Sequence, residues 1–164
     1  MFFCPIIKLF QIAIRRKYSK IIFLDFDGVL CPYNDSWNDN KDKYGALFGP
    51  RNIENLKSII DATGAEIVIS SSWRGGISLW GLLKMWAKRK MPGKVVGVTP
   101  IINGNKSSEI DKWLSHHICH KYVIVDDMDF HQFAMHHHRY LVICNGRKGL
   151  LENNVQKVIS IIGQ

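Results

Sequence analysis

The stretch Phe23-Leu24-Asp25-Phe26-Asp27-Gly28-Val29-Leu30 ends an apolar run with two carboxylates and a glycine. The run from Ile21 to Asp25 has the length of a β-strand and does not alternate with polar residues, which is typical of a strand buried on both faces. Two acids at the end of such a strand are costly to bury without a cation, and oxygen ligands suit magnesium. Asp27-Gly28 is also a common turn dipeptide, so this pair alone indicates no more than a turn.

Other apolar runs of strand length predict further buried strands at Glu66 to Ser70, Val95 to Val98, Tyr122 to Asp126 and Tyr140 to Cys144. Helices are predicted at Pro50 to Ala62, Ser78 to Lys90, Ser107 to His117, Asp129 to His137 and Glu152 to Ile162. Strands that alternate with helices predict a doubly wound, Rossmann-like α/β fold, a parallel sheet of about five strands with helices on both faces. Ligands bind such a sheet at the carboxyl ends of its strands, so the residues there are the candidates for function.

Polar residues suited to binding phosphate or metal lie at three other positions, two at the ends of predicted strands and one at the start of a predicted helix. Ser70-Ser71-Ser72-Trp73-Arg74 follows the second strand, and its hydroxyls and arginine suit a phosphate oxyanion, although a serine-rich turn that caps a helix is also common. Asp126-Asp127-Met128-Asp129 follows the fourth strand and needs a cation or solvent, unless it forms the acidic first turn of a helix. Lys106 lies in a turn just before a helix.

These motifs occur in the order Asp-x-Asp, serine, lysine and Asp-Asp, which resembles the haloacid dehalogenase-like (HAD) superfamily of aspartate-based phosphatases over about Ser19 to Leu151. The stretch from Asp25 to Leu30 is highly specific for that superfamily. A narrower group of small phosphatase domains, some linked by resemblance to nucleic-acid repair modules, is similar at Ile67 to Arg74, Ser108-Glu109-Ile110, Asp126-Asp127 and Gly149-Leu150. The resemblance implies a phosphatase domain over residues 19–164.

The resemblance also implies the chemistry, a magnesium-dependent hydrolysis of phosphomonoesters. Asp25 would be the nucleophile that forms an aspartyl-phosphate, and Asp27 would be the general acid and then the general base. Ser70, with Ser71 as the alternative, would donate a hydrogen bond to a phosphoryl oxygen, and Lys106 would neutralise the phosphate and the nucleophile. Lys106 departs from the arginine of the narrower group, but lysine is acceptable to the wider superfamily.

The Mg²⁺ ligands that the resemblance implies are Asp25, the main-chain carbonyl of Asp27 and one acid of the later pair, Asp127 before Asp126. The glycine that often precedes the first acid of that pair is absent here, so the choice between the two aspartates stays open. The substrate contacts that we predict are Ser71, Arg74, Gly28 and Trp37.

The spacing of the motifs leaves no room for a cap domain between Val29 and Pro50 or between Arg74 and Lys106, because an independent domain needs at least ~50 residues. An open site suits a macromolecular substrate. Residues 31–48 would form a flap with Tyr33, Trp37 and Tyr44 beside the site, or an ordinary surface loop. Aromatic side chains beside an open site favour a phosphoprotein, with phosphotyrosine as the leading candidate.

Two alternatives to a phosphoprotein phosphatase stay open. The first is a phosphatase of polynucleotide ends, which a basic cluster interleaved with aromatic residues would suit. This cluster consists of Lys84, Lys88, Arg89, Lys90 and Lys94, with Trp80 and Trp86 between them. The second is a non-catalytic module that binds a phosphorylated or anionic partner, although the presence of both Asp25 and Asp27 argues against it.

The composition is that of a single globular domain. The 164 residues are 46% hydrophobic and carry a formal net charge of +8, which favours anionic partners. Residues 1–18 are apolar and then basic, and they predict a helix packed on the core or a segment in peripheral contact with a membrane. No Cys-x-x-Cys pair is present, which favours a reducing compartment. We expect a cytoplasmic monomer, or a protein of the host cell if it is a secreted bacterial effector.

Seven histidines crowd into two short segments, His116 to His120 and His131 to His138. Imidazole clusters can bind zinc, but consecutive histidines on a helix face different directions, so His136, His137 and His138 cannot all reach one ion. The sequence therefore favours protonation of these histidines below neutral pH, which would add positive charge, over a zinc site.

Overall fold

The computed structural model describes residues 15–33 and 40–163. Most of the N-terminal segment 1–18 lies outside the described residues, and so does Trp37. Within the described residues, no helix has both the length and the apolar character that crossing a membrane requires.

The strands are β1 (Lys17–Leu24), β2 (Lys41–Asp42), β3 (Gly45–Ala46), β4 (Glu66–Ile69), β5 (Val95–Val98), β6 (Ile118–Asp126) and β7 (Leu141–Ile143). The helices are α1 (Pro50–Thr63), α2 (Leu79–Lys88), α3 (Lys106–His116) and α4 (Glu152–Ile162). Strands β2 and β3 form a small antiparallel hairpin, and the other five form a parallel sheet in the order β5-β4-β1-β6-β7. The prediction of a five-stranded, Rossmann-like parallel sheet is confirmed.

The central strand β1 is buried on both faces because its side chains alternate between two cores. Ile22 and Leu24 belong to the core that α1, α2 and α4 cover, whereas Ile21 and Phe23 belong to the core beneath α3. Helix α1 begins with Pro50 at a position that needs no amide donor, and it ends at Gly64 in the left-handed conformation, with φ +64°. Helices therefore cover both faces and leave the carboxyl ends of the strands as the accessible edge.

The predicted helix from Asp129 to His137 is wrong. The chain forms two short 3₁₀ helices there, Phe130–Gln132 and Met135–Tyr140. Phe133 between them is extended and buried in the core beneath α3. The amide of Ala134 then donates to Ser107 Oγ at 2.7 Å, which holds the chain in the extended conformation and prevents a continuous helix.

The Gly149-Leu150 motif joins the loop after β7 to the loop after β1. The amide of Leu150 donates to the carbonyl of Val29 at 2.8 Å, and the side chain of Asn55 donates to the carbonyl of Leu150 at 2.8 Å. Gly149 has φ +71°, and a Cβ there would lie 2.5 Å from the carbonyl oxygen of Val29. The glycine therefore permits a close approach that fixes the backbone just after Asp25 and Asp27.

Candidate active site

A cleft of about 550 Å³ lies where β1, β4 and β6 end and α3 begins. Its lining combines acids, bases and a few apolar side chains. The lining residues are Asp25, Asp27, Tyr33, Ser72, Arg74, Gly75, Ile101, Gly104, Lys106, Glu109, Asp127 and Met128. Residues from four predicted motifs therefore meet at one edge of the sheet, as the parallel topology requires.

Lys106 links two of these motifs. It is the first residue of α3, not part of the turn before it, and the side chain of Asn105 caps the helix by accepting from the amide of Ser108. Lys106 Nζ lies 2.6 Å from Asp25 Oδ2 and 2.5 Å from Asp126 Oδ2. Burial favours the neutral amine, but the charges of Asp126 and Asp25 outweigh it and raise the pKa of Lys106. The lysine is therefore a fixed positive charge beside Asp25.

Three carboxylates crowd beside this lysine. Asp25, Asp126 and Asp127 each offer an oxygen, and these atoms lie within 4.8 Å of one another. Burial and the charge of Asp25 raise the pKa of Asp126, although Lys106 opposes this effect. The set therefore holds more negative charge than Lys106 compensates.

An all-oxygen, carboxylate-rich set of this kind fits Mg²⁺. Both acids of the Asp126-Asp127 pair belong to the set, so either is placed to ligate a metal together with Asp25. The carboxylate of Asp27 lies outside the set and contacts the neighbouring loop, which is compatible with a ligand role for its main chain only.

The carboxylate of Asp27 faces the loop after β4. Trp73 Nε1 lies 3.1 Å from each of its two oxygens, and Ser72 Oγ donates to Oδ2 at 3.4 Å. Burial raises the pKa of Asp27, the charge of Asp25 adds to the rise, and the Trp73 indole opposes it. A raised pKa favours the protonated carboxyl that a general acid needs. Sequence reasoning missed the contact of Trp73 with Asp27, since nothing in the chain order tells which way an indole points.

We expect Trp73→Phe to lower the rate of phosphate ester hydrolysis by about tenfold, because Asp27 loses the donor that orients it. The indole stabilises the carboxylate, so its removal raises the pKa of Asp27 further, and the alkaline limb of the pH–rate profile moves to higher pH. The measurement is kcat/KM against pH. Trp86→Phe is the matched control, since the indole of Trp86 is buried and donates to the carbonyl of Gly93 at 3.1 Å, away from Asp27. Equal profiles for the two variants would contradict the assignment.

The two serines after β4 differ in what their hydroxyls do. Ser70 Oγ is buried and has no hydrogen-bond partner among the described residues. Ser71 Oγ accepts from the amide of Trp73 at 3.4 Å and caps the 3₁₀ helix Ser72–Gly75. Strand β4 ends at Ile69, so Ser70 is the first residue after it. This arrangement favours Ser70 over Ser71 as the hydroxyl that is available to a phosphoryl oxygen.

Arg74 lies at the cleft, but its donors are used within the protein. Its three nitrogens donate four hydrogen bonds: to the carbonyls of Ser70 at 2.6 Å, Ser71 at 2.5 Å and Thr99 at 3.1 Å, and to the carboxylate of Glu109. Glu109 also accepts from the amide of Ile102 at 3.0 Å. The Arg74–Glu109 pair therefore joins the serine loop to α3, and the substrate contact expected of Arg74 stays a prediction.

Gly28 leaves room for the side chain of Asp127 and is not among the residues that line the cleft, and its expected contact with substrate stays a prediction. It has φ +70°, and a Cβ there would lie 2.3 Å from Asp127 Oδ2. The hydroxyl of Tyr33 hydrogen-bonds Asp127 from the cleft side, and burial and the charge of Asp127 raise the pKa of Tyr33. Asp127 is thus held between a glycine and a tyrosine.

The aromatic and basic surfaces predicted near the site are only partly available to a ligand. Tyr33 lines the cleft, whereas Tyr44 packs against the hydrophobic core. Trp80 is 74% exposed, but Trp86 is buried at 5%. Arg89 is paired with Asp42. The lysines of the predicted basic cluster are therefore exposed, whereas its Trp86 and Arg89 are held in contacts within the protein.

Comparison with known proteins adds one match. The family described as the HAD domain in Swiss Army Knife RNA repair proteins matches residues 21–155. No curated protein sequence and no solved structure matches the chain.

Proposed function

The chain belongs to the family of HAD domains of Swiss Army Knife RNA repair proteins, and on that premise we propose that it is a Mg²⁺-dependent phosphomonoester hydrolase. One observation carries the proposal. Lys106 bridges Asp25 and Asp126 in an open cleft, while Asp27, with its raised pKa, lies on the same cleft wall. A nucleophilic carboxylate, a fixed cation and a protonated acid are the groups that aspartate-based phosphoryl transfer needs.

In the proposed mechanism, an oxygen of Asp25 attacks phosphorus and the bond to the leaving oxygen breaks. Asp27 gives its proton to that leaving oxygen. Lys106 and the hydroxyl of Ser70 stabilise the charge of the phosphoryl oxygens. Asp27, now ionised, takes a proton from a water molecule that attacks the aspartyl-phosphate, and this step releases phosphate and restores Asp25. Mg²⁺ held by Asp25, Asp126 and Asp127 would add positive charge beside the phosphoryl group.

We propose a phosphorylated RNA end as the substrate class. The matched family is named for RNA repair proteins, and the net charge of +8 favours a polyanion. The described residues around the cleft form no cap domain, and Ile101 at the cleft wall is 60% exposed. A long chain can therefore reach the site. The family match does not support the phosphoprotein substrate that the sequence favoured. A phosphotyrosine peptide therefore enters the test as the competing substrate.

The test compares three phosphomonoesters with the same purified chain and Mg²⁺: an aryl phosphate, an RNA oligonucleotide with a terminal phosphate, and a phosphotyrosine peptide. We expect EDTA to stop all turnover and the RNA to have a kcat/KM at least about tenfold above the aryl phosphate, because distant contacts with the polymer contribute binding energy. A higher value for the peptide would assign the site to phosphoproteins. Absence of turnover on all three would overturn the proposed activity.

Asp127→Asn tests the metal site in the same assay. We expect the Mg²⁺ concentration for half-maximal activity to rise by at least about tenfold, since a carboxylate of the cluster is lost. Asp129→Asn is the matched control, because Asp129 lies two residues away and its carboxylate accepts from the amide of His131, outside the cluster. An equal Mg²⁺ requirement in the two variants would remove Asp127 from the metal site.

A further inference from the structure

A second cluster of potential metal ligands lies between α3 and the 3₁₀ helix Met135–Tyr140. Asp111 Oδ1 lies 3.0 Å from His136 Nε2 and 3.2 Å from His137 Nε2. One ligand atom from each of the three residues lies within 4.8 Å of the other two. None of these residues belongs to the cleft or to the carboxylate set of Asp25, Asp126 and Asp127.

His137 is the unusual member of this cluster. Its ring is fully buried, and its Nε2 lies 3.2 Å from Asp111 Oδ1 but meets the geometry of a hydrogen bond with no described residue. An unpaired buried ring nitrogen is costly. Its other nitrogen, Nδ1, lies 3.0 Å from the hydroxyl of Tyr122. A histidine that donates from Nδ1 to such a partner has its Nε2 lone pair available and its ring orientation set, which is the usual arrangement of a metal-binding histidine.

We propose that Asp111, His136 and His137 bind one Zn²⁺ ion through Asp111 Oδ1 and the two Nε2 atoms, with the fourth position open to water. Ligands of a tetrahedral zinc with bonds of roughly 2.0–2.2 Å lie about 3.3 Å apart. The two distances from Asp111 Oδ1 to the imidazole nitrogens, 3.0 and 3.2 Å, are close to this value. Two nitrogens and one oxygen suit zinc and other late transition metals far better than Mg²⁺. The exposed sides of Asp111 and His136 give an ion access from solvent.

The two histidines of the cluster are successive residues of the 3₁₀ helix Met135–Tyr140, which follows the extended Phe133 and Ala134. Their rings lie 4.1 Å apart between centroids. His138 points elsewhere, and its Nε2 contacts the carbonyls of Phe133 and Phe130. Zinc would tie α3, which carries Lys106 at its start, to the segment after β6.

The test is metal binding by the full chain after removal of metals with EDTA, in excess Mg²⁺ so that the carboxylate set is saturated. We expect one equivalent of Zn²⁺ to bind, and Co²⁺ to give the strong visible absorption of a tetrahedral site. We also expect Zn²⁺ to raise the Tm of the wild type. His136→Ala and Asp111→Asn should each weaken binding by at least about tenfold and remove the Tm shift. Both residues are half-exposed, so the variants should fold.

His120→Ala is the matched control, because His120 is an exposed histidine outside the cluster, in β6. Unchanged binding in this variant supports the site. Zn²⁺ binding that survives both His136→Ala and Asp111→Asn would overturn the proposal, and so would an absence of Zn²⁺ binding in the wild type. These readouts do not depend on phosphatase activity, so the two proposals fail separately.

Discussion

Asp25→Asn is expected to lower the rate of phosphate ester hydrolysis by a factor of at least about 10³, because an amide oxygen neither carries the charge nor forms the aspartyl-phosphate. The fold should survive. The amide of Phe26 donates to Asp25 Oδ1 at 2.7 Å, and the asparagine oxygen can accept the same bond. Loss of one charge also relieves the repulsion between Asp25 and Asp126. The measurement is kcat on an aryl phosphate together with the Tm of both proteins.

Asp61→Asn is the control for the loss of one negative charge, since Asp61 is exposed on α1 and pairs only with Lys57 on the same helix among the described residues. We expect its kcat to equal that of the wild type. Mass spectrometry of acid-quenched wild type with substrate should show a phosphorylated peptide that contains Asp25. An Asp25→Asn protein that keeps more than a tenth of the wild-type rate would contradict the nucleophile assignment. If the wild type bound phosphate without turnover, the non-catalytic binding module would become the favoured function.

Glu109→Ala is expected to destabilise the fold by about 3–5 kcal/mol, the usual cost of removing one partner of a buried ion pair. The side chains of Arg74 and Glu109 are 6% and 2% exposed, so the guanidinium would lose its carboxylate without gaining water. The amide of Ile102 would lose its acceptor as well. The measurement is the free energy of unfolding from urea titration, with the midpoint and slope taken separately.

Two controls isolate the cause of this loss. Lys57→Met breaks the exposed Lys57–Asp61 pair on α1, and we expect a change of less than about 1 kcal/mol. The double variant Arg74→Met with Glu109→Leu removes both buried charges, and it should recover part of the stability that Glu109→Ala loses. A Glu109→Ala protein within about 1 kcal/mol of the wild type would show that the pair is not a structural clamp.

The Arg74–Glu109 pair also connects two motifs that the sequence shows only as separate points of similarity to small phosphatase domains. The Ser-Ser-Ser-Trp-Arg stretch after β4 and the Ser-Glu-Ile stretch in α3 are far apart in the chain. In the fold, the Arg74–Glu109 ion pair joins them, and Arg74 also donates to the carbonyl of Ser70 in the serine loop. No argument from spacing in the sequence could show this contact.

The sequence by itself determined the sheet and the edge of the sheet at which the candidate site lies. Buried parallel strands need continuous apolar runs, and such runs are visible without any tertiary information. Parallel topology then brings the residues after β1, β4 and β6 to one edge, so Asp25, Ser70 and Asp127 could be grouped from chain order alone. The bounds of β5 and α4 agree with the predicted ones, because apolar periodicity and turn residues define both ends.

Only the tertiary structure decided which way the polar side chains point. Trp73 donates a hydrogen bond to Asp27, Arg74 forms an ion pair with Glu109, and Gly28 leaves room for the side chain of Asp127. The helix predicted after Asp129 is lost because burial of Phe133 outweighs local helix propensity. Side-chain direction and short irregular segments depend on contacts between residues that are distant in the chain. Their free energies exceed the local preferences that a sequence displays, and that is why the approach of Asp111 to His136 and His137 is visible only in the fold.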